Sequence, residues 1–316
     1  MKIFYKKLIT ISLSIVFTLF LLEIACQAFF FFVIKKQLEE QLNNPLHYYT
    51  TTDDPVLYYV LKPNYRTQKD GKKIHIDQNG LRDDGDKTTA AHKIALIGDS
   101  VPFGISLSQE ETPSARLQTL VGDSTKVLNL GMPGYGLEEI EHFFALKCPV
   151  YKPQEIYYVL NINDFSRRNT IYEGADNGLY RIYKTPFFKI PFFIRKATYR
   201  FVKEGKMSSI YWYHWLFEGN KAPLLPLLGK MDALAKQNNA RFSVLLFPPA
   251  VGYENGVFKL QDVFDEISLY CHNNNISVES PIQEFSKNVY ELQDNTDHLT
   301  HKGSDVLAKY ILSLSK

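Results

Sequence analysis

Apolar residues are laid along this chain in two different ways. Near the amino terminus they form one run of 27 residues, Leu8 to Ile34, mostly Ile, Leu, Val and Phe, in which Glu23 and Gln27 are the only strongly polar side chains. A helix rises about 1.5 Å per residue, so this run exceeds the roughly 20 residues needed to cross a bilayer. It predicts a transmembrane helix. From residue 93 onward the apolar residues come instead in short runs: Lys93–Ile97, Lys126–Leu130, Ile156–Asn161, Arg241–Phe247 and Ile276–Glu279. Segments with helical spacing separate them. Thr112-Pro113 reads as an N-cap followed by proline at the first helical position, with Ala115, Leu117, Leu120 and Val121 facing inward. Glu138–Leu146 reads as a second helix, and Ser304–Leu314 as a closing one with Val306, Leu307, Tyr310 and Ile311 on one face. Strands alternating with helices predict an α/β domain over residues 93–316, built on a doubly wound parallel sheet with right-handed crossovers.

Residues 37–92 lie between these two parts. Asp54-Pro55-Val56-Leu57-Tyr58-Tyr59-Val60-Leu61-Lys62-Pro63-Asn64 is a β-rich run punctuated by prolines, and Lys73–Asp77 alternates before Gln78-Asn79-Gly80, a hairpin-type turn signal. The pattern predicts a small, strand-rich, membrane-proximal extension packed on the α/β domain, strand-rich over 46–92. His75 falls on a strand face there. Between the third and fourth strands an insertion, 170–226, breaks the alternation. From Arg181 to Lys206 it holds eight Lys or Arg against one acid, Glu204, interleaved with aromatics such as Phe187, Phe188, Phe192 and Phe193. One reading is a lid or membrane-interface segment with bases toward anionic lipid. The other is a solvated basic face over an ordinary packed helix pair.

Charge at the ends of the long apolar run sets an orientation. Lys2, Lys6 and Lys7 precede it, whereas Lys35 and Lys36 follow and are offset by Glu39 and Glu40, which favours a cytoplasmic amino terminus, residues 1–36 as tip and anchor, and the rest outside. A cleaved signal would stop after about 7–15 apolar residues, but Phe29-Phe30-Phe31-Phe32-Val33 prolongs the run. Ala25-Cys26 resembles the end of a lipoprotein signal, yet Glu23 stands where such signals carry an aliphatic residue. A charged Glu23 inside a membrane is costly. It is protonated, faces a partner helix or lies shallow, and a merely tolerated polar residue is the plain default.

Composition narrows the function. With 316 residues and 45% apolar content the chain can bury a sizeable core, and a formal net charge of +2 argues against a general nucleic-acid binder. The three cysteines, Cys26, Cys148 and Cys271, have no metal-ligand spacing. Cys148 and Cys271 either pair or remain free core thiols, the latter slightly favoured. No metal or organic cofactor is implied, and oligomeric state is not legible.

The chemistry centres on Lys93-Ile94-Ala95-Leu96-Ile97-Gly98-Asp99-Ser100. An apolar run breaks at glycine and puts a serine at the carboxyl end of a strand, where open α/β sheets hold their ligands. Gly-Asp-Ser is also ordinary turn composition. Three further blocks follow in order: Gly131 ends Val127-Leu128-Asn129-Leu130-Gly131, Asn163 follows the third strand, and His298 stands in Asp297-His298-Leu299-Thr300-His301-Lys302-Gly303. The glycine-rich exit Gly131-Met132-Pro133-Gly134-Tyr135-Gly136 lacks the Gly-Lys-Ser/Thr ending of a phosphate loop.

Ser, Gly, Asn and His in this order resemble the SGNH, or GDSL-type, hydrolase family, from about Lys93 to the C-terminus. The resemblance implies a flavodoxin-like sheet, Ser100 as nucleophile and His298 as base, with the Ser100 and Gly131 N–H groups and the Asn163 amide as oxyanion donors. His301 then falls to the surface. Two positions depart from the family pattern: Asn161 replaces the glycine of Gly-x-Asn-Asp, and Asn295 replaces the aspartate three residues before the histidine. Asp294, one residue earlier, is the favoured third member of the site. Asn295 can also orient the ring through its amide oxygen, whereas Asp297 should point elsewhere. The expectation is a membrane-anchored serine esterase outside the cytoplasm, acting on acyl esters such as O-acetyl groups of cell-envelope glycans or lipids. An O-acyltransferase acting on a polysaccharide with the same site, and a degenerate glycan-binding or scaffold protein, are the alternatives.

Overall fold

The computed structural model describes residues 2–36, 48–57, 59–69, 71–83, 90–167, 187–204, 208–294 and 297–315. Helix α1 (Lys2–Phe29) continues through a wider π-helical stretch, Phe30–Lys35, as one rod. Among the described residues, Ile3–Lys35 is the one helix long and apolar enough to cross a membrane, and its apolar window is unburied.

Two short antiparallel pairs follow: β1 (Tyr49–Thr51) with β2 (Tyr59–Leu61), and β3 (Arg66–Lys69) with β4 (Lys72–His75). The strands differ in detail from expectation. Asp54 is not in a strand, because its carboxylate accepts from the N–H groups of Val56 and Leu57 and bends the chain. The hairpin turn lies at Gly71, whose φ of +77° suits glycine, rather than at Asn79-Gly80. There Asp77 Oδ1 instead collects the N–H groups of Asn79 and Leu81 in a local turn.

The main sheet has five parallel strands, β5 (His92–Gly98), β6 (Thr125–Gly131), β7 (Glu155–Leu160), β8 (Arg241–Leu246) and β9 (Ser277–Glu279), in the order β9-β8-β7-β5-β6. Counted from β5 this is 2-1-3-4-5, the flavodoxin-like order. Alternation along the strands builds two apolar layers. Ala95, Ile97, Leu128, Leu130, Tyr158 and Val244 face one side. Helices α4 (Leu137–Tyr151), α6 (Ser209–Gln237) and α7 (Gln261–Asn273) cover it with residues such as Phe144, Phe217 and Phe264. Ile94, Leu96, Val127, Tyr157 and Val159 face the other side, under α3 (Pro113–Val121), the short α8 (Ile282–Ser286) and α9 (Val289–Leu292), and α10 (His301–Leu314).

Tyr49, Leu57, Tyr59 and Ile76 join the first layer, so the strand pairs share the core of the sheet. Tyr59 also donates to the Pro133 carbonyl at 2.8 Å. Thr112 caps α3 through Ala115 N, as the Thr-Pro signal requires, but Leu120 is 42% exposed and does not face the sheet. Helix α6 runs through Pro223 and Pro226, where the insertion was expected to end. Leu224, Leu225, Leu227 and Leu228 are buried around them, so packing overrides the two lost backbone bonds. Cys148 and Cys271 are free and fully buried; burial pushes the first thiol up to about 11 and the second to about 12, which keeps them inert.

Candidate active site

The rim of the sheet forms where β5 stops. Gly98 has φ +149°, and a Cβ there would lie 2.6 Å from the Val159 carbonyl oxygen, so only glycine lets the chain leave the strand this way. Asp99 caps the next turn by accepting from Val101 N at 3.1 Å, and Ser100 opens the four-residue helix α2 (Ser100–Phe103). Its hydroxyl oxygen is 3.1 Å from His298 Nε2, although 198 positions separate the two residues.

His298 sits on a loop closed by reciprocal bonds. Asp294 N donates to the His298 carbonyl at 2.7 Å, and His298 N donates to Asp294 Oδ1 at 3.0 Å. Asp294 Oδ2 is 3.9 Å from His298 Nδ1, an ion-pair separation, and accepts from the Ser106 hydroxyl at 3.2 Å. Asn295 lies outside the described residues. Asp297 is occupied elsewhere: it accepts from the Tyr213 hydroxyl at 2.8 Å and from Val251 N at 2.9 Å. Burial raises its pKa, against the pull of those two donors. His301 is exposed at the start of α10.

Asn163 reaches the same rim from the turn after β7. Its Nδ2 donates one N–H to Asp99 Oδ2 at 2.9 Å, which leaves the second amide hydrogen for another acceptor. Asp99 Oδ2 also accepts from the Ser100 hydroxyl at 3.0 Å. That hydroxyl has a single proton, so it points either to Asp99 or to His298.

Gly131 differs from expectation. Its N–H donates to Asn129 Oδ1 at 3.0 Å and is therefore engaged within the chain. A Cβ at this position would fall 2.2 Å from Phe103 N, so the close approach of α2 to the end of β6 is what requires glycine. Asn129 fixes that approach, donating from Nδ2 to the Pro102 carbonyl and the Ser114 hydroxyl, each at 3.0 Å.

Three participants are not marked by the motif: Asp99 and Asp164 stand in it only as neighbours of Ser100 and Asn163, and Arg82 lies outside it. Asp99 orients both Ser100 and Asn163. Arg82, 1% exposed, reaches in beside the first layer. It donates to the carbonyls of Phe103 (2.9 Å), Gly104 (2.5 Å) and Leu107 (2.6 Å), and its guanidinium lies 4.7 Å over the Phe103 ring. These carbonyls end α2 and begin its exit loop. Asp164 is fully buried behind Asn163, accepting from the Tyr158 hydroxyl (2.8 Å) and Asn161 N (3.1 Å). Burial first, and the Asp99 charge second, push its pKa well above the carboxylate range.

No protein-family model matches the chain, and no curated protein matches it. Solved structures do. A member of the lipolytic G-D-S-L family from Veillonella parvula is 13% identical, with 71% of this chain and 98% of that chain covered and a TM-score of 0.44. An esterase from Pseudoalteromonas is 14% identical over 70% of this chain and 95% of its own, TM-score 0.43. An acetylxylan esterase from Geobacillus stearothermophilus is 15% identical over 71% and 94%, TM-score 0.43. The matched structures are lipolytic proteins and esterases. Among the described residues, no group of three or more His, Cys, Asp or Glu could hold a metal.

Proposed function

We propose that this chain is a membrane-anchored, extracytoplasmic serine esterase that hydrolyses acyl esters, O-acetyl groups among them, on cell-envelope glycans or lipids. The observation that carries the reading is the 3.1 Å approach of His298 Nε2 to Ser100 Oγ at the carboxyl rim of a parallel sheet. Neutral His298 takes the hydroxyl proton as Oγ bonds to the ester carbonyl carbon. The carbonyl π electrons move onto oxygen. The Ser100 N–H, at the first position of α2, and the free N–H of the Asn163 amide meet that charge. As the tetrahedral adduct collapses, His298 returns its proton to the departing alkoxide. Water, deprotonated by the same imidazole, then attacks the acyl carbon, and the imidazolium returns that proton to Ser100 Oγ as its bond to the acyl group breaks. Asp294 Oδ2, beside Nδ1, offsets the imidazolium charge in both halves, while Asp99 holds Asn163 in place.

The anchor accounts for the location. Lys2, Lys6 and Lys7 hold the amino terminus in the cytoplasm and place the rim on the far side of the membrane, within reach of envelope polymers. A fluorophosphonate probe tests the chemistry, because Oγ displaces fluoride from phosphorus only when its proton is taken. Full-length wild type should label and Ser100→Ala should not. Failure of the wild type to label, with Tm unchanged between the two, would leave a binding protein without an activated serine.

A further inference from the structure

Helix α5 (Lys189–Glu204), which lies between β7 and β8, meets the anchor in an unusual way. Glu23 Oε1 accepts from Lys189 N at 2.7 Å and Oε2 from Ile190 N at 3.0 Å, so a carboxylate in the middle of the apolar rod caps the first turn of α5. Gln27, one turn further, donates to the Phe187 carbonyl at 2.6 Å and to Glu23 at 2.6 Å. The contact then continues through side chains. Phe192 packs on Phe30 and Phe193 on Phe29, each at 5.8 Å between ring centres, and the Lys189 ammonium lies 4.7 Å over the Phe30 ring. The start of α5 is level with Glu23 and its next turn is level with Phe29 and Phe30. The two helices therefore advance in the same direction.

Depth gives this pairing its meaning. Glu23 is 16 residues past Lys7 and 12 before Lys35, which at about 1.5 Å per residue is roughly 24 Å and 18 Å along the helix. The hydrocarbon layer is about 30 Å thick. Whichever lysine is pinned to its water boundary, Glu23 falls inside the hydrocarbon. A lone carboxylate is costly there, and so is a helix start with bare N–H groups, since lipid offers them no partner. Each removes the other's cost, and the positive end of the α5 dipole adds to the attraction. In water neither group would need this arrangement.

Exposure agrees. Phe187 is 82% exposed, and Phe188 and Ile194 are each 60% exposed, on the same stretch that touches the unburied rod. We propose that residues 187–194 dip into the hydrocarbon layer beside the anchor, with Phe187 and Phe188 among lipid acyl chains and Glu23 and Gln27 supplying the hydrogen bonds that lipid cannot. The protein would then hold the bilayer at two points rather than one. This rests on the membrane anchoring proposed above.

The test uses the full-length chain with Cys26→Ser, Cys148 and Cys271 being buried. A fluorescent nitrobenzoxadiazole label is placed by Phe188→Cys, or by Leu13→Cys within the anchor, in phosphatidylcholine–phosphatidylglycerol vesicles. The label at 188 should emit to the blue and be quenched by lipids carrying a spin label on the acyl chain. Adding Glu23→Leu should abolish that quenching and expose the label to iodide in the water. Iodide quenching at 188 without Glu23→Leu, while the label at 13 stays in lipid, overturns the inference and leaves the anchor intact. Iodide quenching at both positions overturns both.

Discussion

Ser100 and His298 arrive at the same rim by different routes. Ser100 follows a strand flanked on both sides by other strands of the sheet, with β5 between β6 and β7. Its helix is pressed against Gly131 and gripped by Arg82, and Asp99 caps it. His298 stands on a loop. Asp294 closes that loop, and Asp297, at φ +67°, tethers it through Tyr213 of α6 and the Val251 N–H. Ser100 is thus placed by the hydrophobic core, and His298 by a few polar contacts, one of which comes from the long helix between β7 and β8. A disturbance in the core should act on stability first. A disturbance in the tether should act on turnover first.

The sharpest way to break this contrast is Arg82→Met. It orphans the carbonyls of Phe103, Gly104 and Leu107, at about 1–3 kcal/mol for each buried acceptor left short, read as a large fall in Tm by calorimetry. If Tm barely moves, the core does not depend on this grip and the contrast is wrong on the Ser100 side. On the other side, Tyr213→Phe keeps the ring and removes one donor to Asp297. Leaving a buried acceptor short should cost about 1–3 kcal/mol, and it should slow fluorophosphonate labelling of Ser100. Hydrolysis of a small acetate ester should show a lower kcat at unchanged KM. Equal losses in Tm and none in labelling rate would make Tyr213 a structural residue only.

The smallest effect belongs to Asp164. Its pKa is raised in the folded state by burial and by the Asp99 charge, so the native protein keeps a proton that the unfolded chain releases from about pH 4 upward. Stability from this group is therefore full below that value and declines as pH rises toward the folded pKa. Asp164→Asn should flatten the decline, so that Tm measured at about pH 5 and about pH 9 differs less than in wild type. An unchanged slope would mean that the carboxyl is ionised in the native state.

Much of the architecture was legible because it is local. The five strands lie where the apolar runs put them, and Thr112-Pro113 starts a helix, since alternation and capping need only neighbouring residues. The carboxylate beside His298 is harder to read. Asn295 stands where the family pattern has an aspartate, and Asp294 comes near His298 Nδ1 only because the loop folds back on itself. Gly131 was read for its N–H, yet the constraint on it is the backbone of Phe103, which is 28 positions away in sequence and cannot be seen from the motif.

The sequence by itself determined the class of sheet, the apolar rod and the order of Ser100, Gly131, Asn163 and His298, because periodicity and strand ends are properties of short segments. Only the tertiary structure decided which charges could be buried. Arg82, Asp99 and Asp297 look like solvent-facing residues along the chain, yet all three are buried. Their polar partners lie in other elements, and desolvating a charge is tolerable only where the folded chain supplies such partners.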